Sequence, residues 1–159
     1  MDASSLIMDS TQEESSRAAR VASVVVRASW VAALLTYVAL PFFHNSLRGT
    51  TWWGSEFFGL GIGYVMSGAG PEQLKFSIGF GLPPLAAIAG ATLWARPGRG
   101  VAMARLVCAA TAFGALTFGY LQLAGDWLYG FYATDGALAI ATMASALTFL
   151  GARAGRTGR

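Results

Sequence analysis

The stretch WARPGRGVAMARLVCAATAFGALTFGYLQLAGD, residues 94–126, decides the fold. Three Arg, at 96, 99 and 105, precede 20 uncharged residues, 106–125, and an Asp follows. An apolar helix needs about 20 residues to cross the hydrocarbon of a bilayer. A basic cluster at one end marks the side on which such a helix was made, because Lys and Arg resist translocation.

The same unit recurs along the chain. Uncharged runs cover 28–43, 76–95, 106–125 and 136–152, so four spans are expected. The first lengthens inward if Arg27 snorkels and VASVVV continues the helix. With both termini cytoplasmic, Arg17, Arg20, Arg27, Arg96, Arg99, Arg105, Arg153, Arg156 and Arg159 all fall inside, nine of the eleven basic residues. Only Arg48 and Lys75 stay outside, against Glu56, Glu72, Asp126 and Asp135. The expectation is therefore an all-α integral membrane protein. It is a compact four-helix bundle, N-in and C-in, with a short outer interfacial or re-entrant segment between helices one and two. Boundaries fall at a flexible tail, 1–16, spans at 21–43, 76–95, 104–124 and 135–152, an outer segment at 44–75, and a basic tail at 153–159. The first run ends LPFFHNS with no small-residue cleavage site, so it reads as retained and not as a signal peptide.

Composition agrees. Of 159 residues, 55% are hydrophobic and 12% charged, whereas soluble domains carry about 25% charged residues. The pI near 9.4 comes from Arg clusters between apolar runs, not from a basic stripe with stacking aromatics, so nucleic acid is not an expected partner. The lipid bilayer is, together with other membrane subunits or further copies of the chain. Richness in Ala, Gly and Arg suits a GC-rich bacterial genome and its plasma membrane, with an organellar inner membrane as the alternative. Cys108 is the sole cysteine and reads as a packing residue.

Trp52, Trp53, Tyr64, Trp127, Tyr129 and Tyr132 fall in the outer segments, and Trp30 and Trp94 near the inner ends, as an aromatic belt requires. FFGLGIGYVMSGAGP, 57–71, is too short to span and reads as a short surface helix or a loop that dips and returns. Pro83-Pro84 should kink the second helix or start it afresh. Small residues four apart mark contact faces at Ala28/Ala32/Thr36, Ala110/Gly114, Ala115/Gly119 and Ala137/Ala141/Ser145.

Candidate chemistry is sparse. His44 with Glu56, Glu72, Asp126 and Asp135 offers a metal or proton site only if the outer segments converge, since no metal-ligand spacing is present. Asp135 suits the start of helix four, where negative charge meets the helix dipole. Gln122 is an interhelical hydrogen-bonding candidate. Arg27 and Arg105 suit lipid headgroups. WWGSEFFGLGIGY, 52–64, is similar over 13 residues to the pore segment of potassium channels, where paired Trp and a Glu lead into a Gly-Tyr-Gly filter. Here the preceding Thr-Val is absent and Val65 follows Gly63-Tyr64, which breaks the carbonyl ladder. No cofactor, nucleotide or zinc-protease motif occurs, so no cofactor and no metal are expected.

Three function classes follow. The first is a non-enzymatic accessory or assembly subunit that docks a partner through His44, Trp52, Trp53, Glu56 and Tyr64 and through its small-residue faces. The second is a small oligomeric transporter or channel using 57–70 or the Gln122/Asp126/Asp135 end. The third is an enzyme built on His44 and the outer carboxylates.

Overall fold

In the computed structural model, residues 3–68, 70–93, 98–123 and 125–154 are described, with side chains of 3–16, 19 and 151–154 left aside. The order is α1 (Ala3–Ala39), β1 (Pro41–Asn45), β2 (Thr50–Trp53), α2 (Gly54–Met66), α3 (Pro71–Phe76), a π-helical turn (Ser77–Gly81), α4 (Leu82–Thr92), α5 (Arg99–Gln122), β3 (Asp126–Trp127) and α6 (Tyr129–Ala154). Four helices are long and apolar enough to cross a membrane: Arg20–Ala39, Pro71–Thr92, Arg99–Gln122 and Tyr129–Leu150. α6 packs between α1 and α5, and α4 closes the ring between α5 and α1.

The all-α expectation needs correction. A three-stranded sheet, order β2-β1-β3, sits at one end of the bundle, antiparallel throughout. Its origin is local. Pro41 disfavours helical geometry at Leu40, so α1 stops at Ala39 and the expected span to 43 loses its last turn to β1. Asn45 Oδ1 then accepts the Leu47 and Arg48 N–H groups (3.1 and 3.2 Å), and Gly49 takes φ 62°. An Asx turn and a left-handed Gly together reverse the chain into β2. β3 pairs on the other edge of β1 through Phe43↔Trp127 and His44↔Asp126.

Other boundaries move for equally local reasons. The second span starts at Pro71, not 76, because Pro opens a helix and Lys75 bonds Glu72 at 2.8 Å one turn away. The third starts at Arg99, not 104. The fourth starts at Tyr129, not 135, after Leu128 N–H bonds the Phe42 carbonyl (2.9 Å). Residues 3–16 are helical backbone continuous with α1, where an aperiodic tail is expected. In sequence Glu13 precedes Arg17 by four, a spacing that supports a helix. The expected basic tail lies almost wholly outside the described residues, as does Trp94.

Residues 54–66 form the short helix expected of this region, and not the dipping loop. The Gly-Ile-Gly-Tyr stretch at 61–64 is helical, so its carbonyls point along the helix and form no filter. α2 packs on the π-helical turn, where Ser77 Oγ donates to the Gly61 carbonyl (2.8 Å). Pro83 and Pro84 explain the turn. Neither has an N–H, so the carbonyls of Gly79 and Phe80 lose their helical donors. The Tyr37 hydroxyl, from α1, donates to the Phe80 carbonyl.

Close approach of backbones depends on missing side chains. A Cβ on Gly79 would lie 2.5 Å from Gly119 Cα, and one on Gly54 would meet the Tyr37 carbonyl. Ala115/Gly119 and Ala141/Ser145 are thus true contact faces, whereas Ala28, Ala32, Ala110 and Gly114 remain on the surface. Trp30, expected at an interface, is instead 1% exposed and lies over Gly90. Gly79→Ala and Gly119→Ala should each lower stability in detergent by about 1–3 kcal/mol, as overpacking does. Gly59→Ala and Gly63→Ala, with open space around the added methyl, should be neutral or stabilising by up to about 1 kcal/mol. Equal effects at both pairs in a chemical unfolding series would disprove this packing.

Candidate functional site

The sheet end of the bundle holds the densest side-chain chemistry, and it is aromatic. Phe57 on α2 and Phe80 on the π-helical turn meet at 4.7 Å between ring centroids. Phe76 reaches Phe80 at 4.9 Å, and Trp127 on β3 stacks on Phe80 at 5.8 Å and 21°. Trp127 also meets Phe131 at 4.5 Å, Phe43 at 5.2 Å and Tyr120 at 5.5 Å. Phe42 joins Phe131 to Tyr37 edge-on, at 5.6 and 4.9 Å. Each such pair contributes about 0.5–1.5 kcal/mol beyond area burial. A break in the alternation of β1 sets up the network: at the bulge opposite β2 the consecutive Phe42 and Phe43 are both buried, while His44 and Asn45 are half-buried.

The cluster seals the bundle. Tyr37, Phe42, Phe80, Leu116 and Leu138 are each at most 2% exposed, and they fill the space between α1, α4, α5 and α6. What remains open is shallow. Glu72, Lys75, Phe76, Phe80, Gln122 and Leu123 line a pocket of about 220 Å³. A second groove runs along the surface of α1, lined by Arg27, Ala28, Val31 and Ala32.

The expected site residues do not converge. His44 Nδ1 lies 3.1 Å from Thr51 Oγ1, its neighbour across the hairpin, and Asp126 is its backbone partner on β3. That brings two of the expected group together. The other carboxylates are elsewhere: Glu56 Oε2 accepts the Trp53 N–H (2.8 Å), Glu72 pairs with Lys75, and Asp135 bonds Thr117 on α5. Among the described residues no group of three His, Cys, Asp or Glu side chains comes together. Trp52 packs on Phe57 at 6.1 Å, and Tyr64 meets Phe76 edge-on at 5.7 Å, so both serve the cluster. Trp53 is 43% exposed. Gln122 is exposed at the pocket rim and not between helices. Asp135 lies in the second turn of α6 and not at its start, which removes it from the helix dipole's positive end. Arg27 is exposed, and Arg105 is half-buried with its Nε enclosed.

Phe57, Phe80 and Trp127 are the centre of the cluster, and sequence spacing does not single them out. Trp127 reads as an interface residue because a Trp at a span end normally is one. Only the strand pairing of 126–127 with β1 turns it inward.

No known protein family, curated protein or solved structure matches this chain.

Phe80→Ala should lower stability by about 3–5 kcal/mol, the range for truncating a buried aromatic. Asp126→Ala, at an exposed position, should stay within about 0.5 kcal/mol of the parent. Comparable losses at 80 and 126 in the same unfolding assay would contradict the aromatic seal.

Proposed function

We propose that this chain is a non-enzymatic subunit of a membrane complex, an accessory or assembly component that docks partner proteins. It lies in the membrane with four crossings, both termini cytoplasmic and the sheet end outside, in a bacterial plasma membrane.

One observation carries the reading: the bundle interior is filled while its sheet end keeps large apolar groups in the open. Leu47 at the hairpin tip is 96% exposed, Met66 82%, and Tyr129 63%. Scattered exposed apolar residues are ordinary in a lipid-facing region. These sit instead at the end that would meet water and headgroups, where Trp and Tyr favour mixed surroundings and apolar tips favour protein contact. Two small-residue faces, Ala28/Ala32 on α1 and Ala110/Gly114 on α5, lie on the bundle surface, where another helix can approach closely. A transport path is disfavoured because Phe80 floors the pocket beside Gln122.

The orientation is supported by the sequence, in which nine of the eleven basic residues fall in segments that it puts inside. A tag on either terminus should be protected from protease added outside intact cells, and cleavage of either tag would refute it. Native mass spectrometry after extraction in mild detergent should find the chain in a stoichiometric hetero-complex. Trp53→Ala and Leu47→Ser should weaken that complex without lowering the chain's own thermal stability. A lone homo-oligomer that passes ions in liposomes would replace this reading with the transport one.

A further inference from the structure

Asp135 is the one charged side chain of its span, Tyr129–Leu150. It lies six residues along α6 from Tyr129, about 9 Å below the helix start. A carboxylate inside a span is costly and normally has a named partner. This one is poorly served. Its Oδ1 is enclosed and bonded to nothing among the described residues. Its hydrogen bond is to Thr117, whose hydroxyl also lies 2.9 Å from the Phe113 carbonyl. A hydroxyl has a single proton, so Thr117 serves one of these acceptors at a time.

Among the described residues, no cation lies level with it. Thr36 Oγ1 and Thr134 Oγ1 touch at 2.9 Å, which sets Asp135 level with Thr36. Arg27 is nine residues further along α1, about 13 Å away in depth, and Arg105 is twelve residues from Thr117, about 18 Å. Lys75 is bonded to Glu72, and Arg48 sits at the hairpin tip.

The surface around Asp135 is shaped for a neighbour. Gly114, three residues before Thr117 on α5, and Gly136 on α6 are both exposed, and an added Cβ on either meets nothing within 4 Å. Ala110 on α5 and Ala139 on α6 continue the same two faces, four residues from Gly114 and three from Gly136. The seam thus combines room for close backbone approach with an unanswered negative charge.

We propose that the α5–α6 seam is a docking site for a transmembrane helix of a different chain, one that sets a Lys or Arg against Asp135. The proposal rests on the partner-docking function above and names the surface and chemistry of that contact. A second copy does not fit: lying parallel in the same membrane, it brings another Asp at this depth and its own Arg residues about two to three helical turns too deep. A foreign cation offsets the carboxylate's charge from the seam side and removes the like-charge conflict.

The test uses the full chain in native membranes, with a photo-reactive residue at 114, at 136, or, as reference, at 53. Adducts at 114 and 136 should join a second polypeptide, and peptide mapping should place the joint in an apolar helix within about one turn of a Lys or Arg. Asp135→Asn should cut their yield about tenfold or more, since Asn keeps the shape and drops the charge. Asp135→Lys combined with an Asp at the mapped basic residue should restore it. Adducts only to another copy of the chain or only to lipid, or a yield indifferent to Asp135→Asn, would overturn the proposal. Polypeptide adducts at 53 with none at the seam would overturn it and leave partner docking standing. No polypeptide adduct at any of the three positions would overturn both.

Discussion

Four helices of this chain are long and apolar enough to cross a membrane, and a lipid surround offers a backbone no hydrogen bonds, so in such a setting every peptide group must be answered from within. That constraint organises the sheet end. Two consecutive prolines strip donors from the second span at the level of Phe80, and a tyrosine from the first span replaces one of them. The interruption forces a wide turn, and the wide turn gives Ser77 and Gly81 the room to receive α2. α2 in turn brings Phe57 onto Phe80. A local defect in one helix thereby becomes the seat of the aromatic cluster.

The cluster has a functional consequence. Bundles that move solutes keep a polar or hydrated seam between helices. Here the corresponding space holds Tyr37, Phe42, Phe80, Leu116 and Leu138. Among the described residues the buried polar side chains are small hydroxyls such as Ser29, Thr134 and Ser145, while charged groups lie on the flanks, as at Asp135, or at the ends, as at Glu72 and Arg99. Chemistry on the flanks of a membrane bundle would face other membrane components, and this is the feature of the packing that supports the proposed docking role.

Much of the architecture was legible in the sequence because it depends on long-range sums. Apolar length and Arg clusters survive a shift of several residues, so the four long apolar helices emerge despite wrong ends. The sheet was not legible. PFFHN reads as the end of a span, and only the proline, the Asn45 turn and Gly49 together convert it to a strand. DW at 126–127 is too short to signal a strand at all. Among candidate residues, His44 and Asp126 do meet across strands, but Glu56 and Glu72 are taken by local partners three residues away. Trp30 reads as an interface anchor because its tolerance for burial depends on Gly90, sixty residues away in sequence. The weight of Asp135 was hidden by a helix that starts two turns early.

The claim that most depends on the packing is that the sheet end is sealed. Single cysteines placed at Leu116 and at Leu47, in a Cys108→Ser background, can be exposed in liposomes to a water-soluble maleimide from the sheet side. The account predicts prompt labelling at 47 and none at 116 while the protein stays folded. Labelling at 116 at a comparable rate would show a water path through the aromatic cluster and contradict it.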